Sequence, residues 1–189
     1  NGNRVSYDFP DGYDKTKELV IDPTVVFATF TGSGYDNWGY TATYDAAGNF
    51  YAGGITSNSL GGSGYPIVPA TGAIQTSFGG GSTVDGNHYP SDISISKFNA
   101  TGSALIYSTY LGGNSNEQPH SLIVDQAGNL IIAGRTYSAN FPVTSGAYDG
   151  SYNGKGDLIL TKFNASGTAL LGSTYVGGSG EDITNETAA

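Results

Sequence analysis

Apolar residues in this chain gather in short runs, and the stretches between them are rich in glycine, asparagine and aspartate. Leu130-Ile131-Ile132-Ala133 and Leu158-Ile159-Leu160 are near-continuous runs. Short apolar runs bounded by turn residues predict strands. A sheet with one wet face alternates apolar and polar positions, so these two runs predict strands buried on both faces. A small four-stranded sheet reaches that state when it is sandwiched between copies of itself.

The turns between the runs fix where strands begin and end. Asp45-Ala46-Ala47-Gly48-Asn49 returns as Asp125-Gln126-Ala127-Gly128-Asn129, and Asn99-Ala100-Thr101-Gly102 returns as Asn164-Ala165-Ser166-Gly167. Each reads as a hairpin loop with glycine free to take positive φ. The predicted strands are therefore 41–45, 49–56, 92–99 and 104–113 in a first unit, and 121–125, 129–136, 157–164 and 169–178 in a second. The units repeat closely. Residues 97–105 and 162–170 agree at seven of nine positions, and Ser108-Thr109-Tyr110-Leu111-Gly112-Gly113 recurs as Ser173-Thr174-Tyr175-Val176-Gly177-Gly178. A looser copy, Ala28-Thr29-Phe30-Thr31-Gly32-Ser33, stands earlier. Residues 25–32 thus resemble a fourth strand without its first three. Strands are also expected over 4–9 and 18–21. Repetition at this length, built from strands alone, points to stacked β units.

The expected fold is all-β, with β-propeller-type blades of four-stranded antiparallel sheets. Two repeats are full and others partial, as in a fragment of a larger propeller. The expected divisions are residues 1–24 (the end of a preceding β-rich domain or a linker), 25–35 (the outer strand of an incomplete blade and a turn), 36–113 (a first blade with a long loop insertion), 114–178 (a second blade) and 179–189 (the start of a third).

Composition narrows the function. The 189 residues include 30 glycines, about twice the usual share, which suits many tight turns. Seven basic residues against sixteen acidic ones give a net charge of −9. So few scattered cations exclude a phosphate-tracking surface, and no nucleic-acid partner is expected. An acidic, lightly charged surface fits an extracellular setting, divalent-cation binding or simple solubility. There is no cysteine, hence no disulfide framework and no thiolate chemistry. No apolar run is long enough to span a membrane as a helix, and no membrane insertion is expected.

The ordered motifs S-T-Y-L-G-G, V-D-x-x-G-N, F-P-V-T…G-A-Y and D-L-I-L-T-K-F-N-x-x-G resemble the SBBP family, the β-propeller repeat of bacterial surface proteins. The resemblance covers about residues 25–189. The preceding segment resembles the end of the β-rich domain that often stands before such repeats in Bacteroidetes. The resemblance implies a large secreted or outer-surface protein, with adhesion, surface assembly or ligand binding as its role. It also implies type IX secretion and a link to gliding motility as possibilities within the family. Two repeats do not close a ring, so further blades of the same chain or other subunits are expected as partners.

Candidate chemistry is sparse. Nucleophile-elbow, dinucleotide-fingerprint and phosphate-loop motifs are all missing, and no catalytic residues are expected. His88 and His120 have no repeat counterparts and read as loop residues. Three pairs fall in register after the Gly-Gly turn: Asp36-Asn37, Asn116-Glu117 and Glu181-Asp182. Their oxygens could ligate Ca2+, a hard cation seeking six to eight oxygen ligands. Alternatively they bond loop N–H groups and fix the entry to the next strand. Asp45 and Asp125 are expected to cap their hairpins, and Lys97 and Lys162 to be repeated scaffold residues, with protection of strand edges as one such role. Asn99, Asn164 and Asn185 each begin a formal glycosylation sequon, read here as turn chemistry for the first two. Tyr35, Trp38 and Tyr40 form a candidate aromatic platform for a glycan or protein partner, with burial as the alternative. The sequence thus favours a non-catalytic binding or assembly region. A glycan-active propeller enzyme and a structural subunit of a filament or secretion-machine cargo are the alternatives.

Overall fold

The computed structural model describes residues 12–18, 25, 27–34, 36–57, 64–80 and 90–182. The described residues form eight strands: β1 (Asp36–Tyr44), β2 (Phe50–Ser57), β3 (Asp92–Phe98), β4 (Leu105–Leu111), β5 (Glu117–Val124), β6 (Leu130–Thr136), β7 (Asp157–Phe163) and β8 (Leu170–Val176). They form two antiparallel four-stranded sheets in sequential order, β1-β2-β3-β4 and β5-β6-β7-β8. No helix occurs among the described residues.

The hairpins form where the turn residues demand them. Asp45 Oδ1 accepts the N–H groups of Ala47 (3.0 Å) and Asn49 (2.9 Å), and Asp125 does the same for Ala127 and Asn129, each at 2.9 Å. Asn99 and Asn164 sit in their turns likewise, each accepting two backbone N–H groups of its own loop. Their side chains are therefore committed to the turn, as the sequence suggests.

β1 and β5 begin five and four residues earlier than expected, at Asp36 and Glu117. Each carries a register shift, between Gly39 and Thr41 and between Pro119 and Ser121. The irregularity breaks the alternation that marks a strand in sequence, and it lets Pro119 sit in a ladder that it cannot fully join.

The connection between the second and third strands runs along the fourth. Val68 exchanges two backbone bonds with Ser108 (3.1 and 2.8 Å), and Thr144 N–H reaches Ser173 O at 3.1 Å. Outer edges are thereby partly paired, which limits stray strand addition. The tyrosine of the repeated S-T-Y motif anchors this connection. Tyr110 OH accepts Tyr65 N–H (3.0 Å), and Tyr175 OH accepts Phe141 N–H (2.9 Å).

One apolar core crosses both sheets. It joins Tyr51, Ile93, Ile95, Tyr107 and Leu111 of the first to Leu122, Leu130, Ile132, Ile159, Phe163 and Tyr175 of the second. The back of the first blade thus packs on the second blade. Tyr107 lies against the turn glycine Gly167, where an added Cβ would come within 2.5 Å of the ring. Phe27 takes the matching place one repeat earlier, against Gly102.

Three expectations need correction. Residues 27–34 form no ladder; Phe27 keeps its packing place, but a fourth strand needs a third strand to pair with. The run Leu158-Ile159-Leu160 is not buried on both faces: Ile159 is buried, while Leu158 and Leu160 are 41% and 47% exposed. Among the described residues, a sheet packs on one side of β7 alone. Lys97 and Lys162 lie on β3 and β7, which are interior strands of their sheets, so they guard no edge. Lys97 instead reaches Asp45 Oδ2 at 3.4 Å and lies 4.8 Å over the Tyr51 ring; Lys162 reaches Asp125 Oδ2 at 2.7 Å. The strands expected over 4–9 and 18–21 fall, except for Glu18, outside the described residues, as do Tyr35, His88, Asn185 and the third copy beyond Asp182.

Candidate functional site

The repeated Gly-Gly turn carries the chain from the fourth strand of one blade to the first strand of the next. Glu117 opens β5 and is 1% exposed. Its Oε1 accepts Thr136 Oγ1 (2.6 Å) and Ser138 Oγ (2.5 Å), and its Oε2 accepts Gly113 N–H (3.0 Å). Asp182 holds the matching place after β8, where Oδ2 accepts Gly178 N–H at 2.6 Å. Its N–H reaches Gly156 O at 3.1 Å, as Glu117 N–H reaches Ser91 O at 2.9 Å. The third copy therefore enters in the same register as the second.

A second carboxylate meets each of these, and sequence reasoning did not single it out. Asp92 opens β3 and is fully buried; Asp157 opens β7 and is fully buried too. A Cβ placed on Gly112 would lie 2.6 Å from both Asp92 Oδ1 and Glu117 Oε2. A Cβ on Gly177 would lie 2.7 Å from Asp157 Oδ1 and 2.9 Å from Asp182 Oδ2. The first glycine of the pair is required because two carboxylates close over it. The signal was present in the sequence, since an aspartate opens the third strand in both copies, but a strand-opening Asp resembles an ordinary turn residue.

The electrostatics follow from burial. Burial pushes the Asp92 carboxyl up to about 8, and the neighbouring Glu117 charge adds to the rise against the bonds from Gly79 N–H and Gln75. Burial also raises Glu117, opposed by Ser138, Thr136 and Gly113 N–H. Asp157 is raised by burial, with Asp182 and Asp149 contributing, against one bond from Asn153 N–H.

The other expected residues are spread out. Asn116 Oδ1 accepts Ser91 N–H at 3.3 Å, which ties the turn to the entry of β3. Asp36 and Asn37 open β1, and Glu181 is exposed beside Asp182. The three pairs lie at three successive blade entries and do not converge. Among the described residues, no group of three or more His, Cys, Asp or Glu side chains could hold a metal ion. Trp38 and Tyr40 do come together. They line an open groove of about 430 Å3 with Thr31, Ala42, Phe50 and Tyr65. The groove is the front of the first blade, the face that in the second blade is pressed on its neighbour. His120 lies in β5, partly buried.

No curated protein sequence matches this chain. Residues 106–142 match the family model of the β-propeller repeat, SBBP, a span that runs from β4 across the Gly-Gly turn and Glu117 to the connection after β6.

Proposed function

We propose that this chain serves as a non-catalytic repeat region of a secreted or outer-surface bacterial protein, acting in adhesion, surface assembly or ligand binding. Further blades, from the same chain or from other subunits, complete it. One observation carries the reading. Ile93, Ile95 and Leu111 are fully buried, while their repeat counterparts Leu158, Leu160 and Val176 are 41–47% exposed. The second blade offers the surface that it covers on the first, so a sheet of the same kind fits there. The match to the β-propeller repeat supports the same reading, and the residues repeated between the two blades serve turns, strand packing and the blade junctions. Export as a type IX cargo with a link to gliding extends the proposal by resemblance to exported relatives.

The test is made on cells. The protein should be open to external protease on intact cells, and deletion of this region should reduce attachment to a glycan- or protein-coated surface. A protein shielded from protease, or unchanged attachment with lost glycan hydrolysis, would count against it.

A further inference from the structure

We propose that Asp92 and Glu117 share one proton: Asp92 is held as the acid, and its Oδ1–H donates to Glu117 Oε2, joining the back of one blade to the front of the next. The division of donors assigns the roles. Glu117 receives three, from Thr136, Ser138 and Gly113 N–H, which suits the charged carboxylate. Asp92 receives Gly79 N–H (2.7 Å) and Gln75 Nε2 (3.1 Å) on Oδ2 alone. Its Oδ1 is buried with no partner, and an unpaired buried anionic oxygen is strongly disfavoured. A proton on that oxygen removes both the charge and the missing bond.

Among the described residues, no ion pair reaches Asp92 or Glu117. Lys17, Lys97 and Lys162 pair with Asp14, Asp45 and Asp125. Among the described residues, the titratable groups facing this site are Glu117 on Asp92 and the Tyr175 phenol, which the Glu117 charge helps to raise. The arrangement recurs one blade on. Asp157 Oδ1 is likewise buried without a partner, and Asp182 takes Gly178 N–H across Gly177, with Asp149 and Tyr152 nearby. A hard divalent cation seeks six to eight oxygens. Here two carboxylate oxygens close over one glycine while the rest already accept hydrogen bonds, a donor set that matches a proton.

The sign of the pH dependence follows. The Asp92 carboxyl is raised from its ordinary 3.8 to about 8. Between those values the folded chain holds a proton that the unfolded chain has lost. The stabilisation is complete below pH 4, is lost as pH rises toward 8, and changes no further above it.

The test is denaturant unfolding of the 189-residue chain at a series of pH values. The unfolding constant should rise about tenfold per pH unit between pH 5 and 7 for one linked proton, and Asp92→Asn should remove that rise. The difference between the two proteins is the readout, because other groups contribute to the wild-type slope. Infrared spectroscopy of the wild type at pH 7 tests the same point without a variant: a protonated-carboxyl band should be present. An equal slope in Asp92→Asn, or no such band, overturns the proposal. So does a Ca2+-dependent rise in Tm that Asp92→Asn abolishes, which would assign the site to a cation.

Discussion

The two blades share strand order, hairpins and register, yet they differ in what covers them. β3 is buried at every position, whereas its counterpart β7 alternates buried and exposed along most of its length. On the front face the order reverses. Trp38 and Ala42 are exposed in β1, while the corresponding Gln118 and Leu122 are buried in β5. The pair of blades therefore displays one complete interface and two open halves of the same interface. Burial here is a property of a blade's neighbours, so one repeated sequence yields two different solvent patterns.

The sharpest way to break this comparison is to cut the same position in both blades. Ile95→Ala removes a fully buried side chain and should cost about 3 kcal/mol, the usual range for such truncations in a packed core. Leu160→Ala, its counterpart, removes a side chain that is already half in water and should cost about 1 kcal/mol or less. Urea midpoints at equal m-value measure both. Equal losses would mean that the back of the second blade is covered in solution, as by a second copy.

The Gly-Gly turn gives the next largest contrast. An alanine at Gly112 meets Asp92 and Glu117 in a buried site, so Gly112→Ala should cost about 2–3 kcal/mol through overpacking. Gly177→Ala meets Asp157 and an exposed Asp182 that can swing away, so its loss should be smaller. If Gly177→Ala costs as much, the second junction is as firmly closed as the first.

The strands were legible because Asp-x-x-Gly-Asn and Asn-Ala-x-Gly form local hydrogen-bonded turns, independent of tertiary context. The blade junction was half legible. Glu117 and Asp182 stood out as acidic residues after a glycine pair, and the reading that they bond loop N–H groups describes their Gly113 and Gly178 contacts. Asp92 and Asp157 did not stand out. Their significance depends on a meeting with a residue 25 positions on (92 to 117, 157 to 182), and nothing in local pattern announces such a meeting. The exposure of Leu158 and Leu160 was illegible for the same reason, since an apolar run reports what a strand can bury and not what lies beside it. Lys97 was legible as repeated scaffold but not in its role, since a lone cation in a strand looks like edge protection until its Asp45 partner is known.

That ion pair sharpens the comparison further. Lys97 and Asp45 are about nine-tenths buried, and the ammonium also lies over the Tyr51 ring. Lys97→Ala should cost about 1–2 kcal/mol, because the stranded Asp45 keeps its bonds to Asn49 and Tyr51 while losing its cation. Lys162 and Asp125 make the shorter contact but stand in more solvent, so Lys162→Ala should give the smaller loss. The reverse order, again from urea midpoints, would show that contact distance outweighs burial at this position.

The smallest effect lies on the acid side. For Asp45, burial pushes the carboxyl up, but bonds from Asn49 and Tyr51 and the charge of Lys97 carry it below its ordinary value. For Asp125 the Lys162 contact leads, with bonds from Asn129 and Ala127 adding to it against burial, and the carboxyl is carried below its ordinary value. A carboxyl lowered on folding contributes stability above its unfolded pKa and loses it as pH falls through the folded one. Both hairpins should therefore weaken below pH 4, the opposite sense to the blade junction, which is firmest there. Carboxyl 13C titration of the folded chain should find Asp125 protonating at lower pH than Asp45. Reversed order would mean that the buried Lys97 pair is the stronger electrostatic clamp, and that the two blades differ in solvent cover without differing in the strength of this contact.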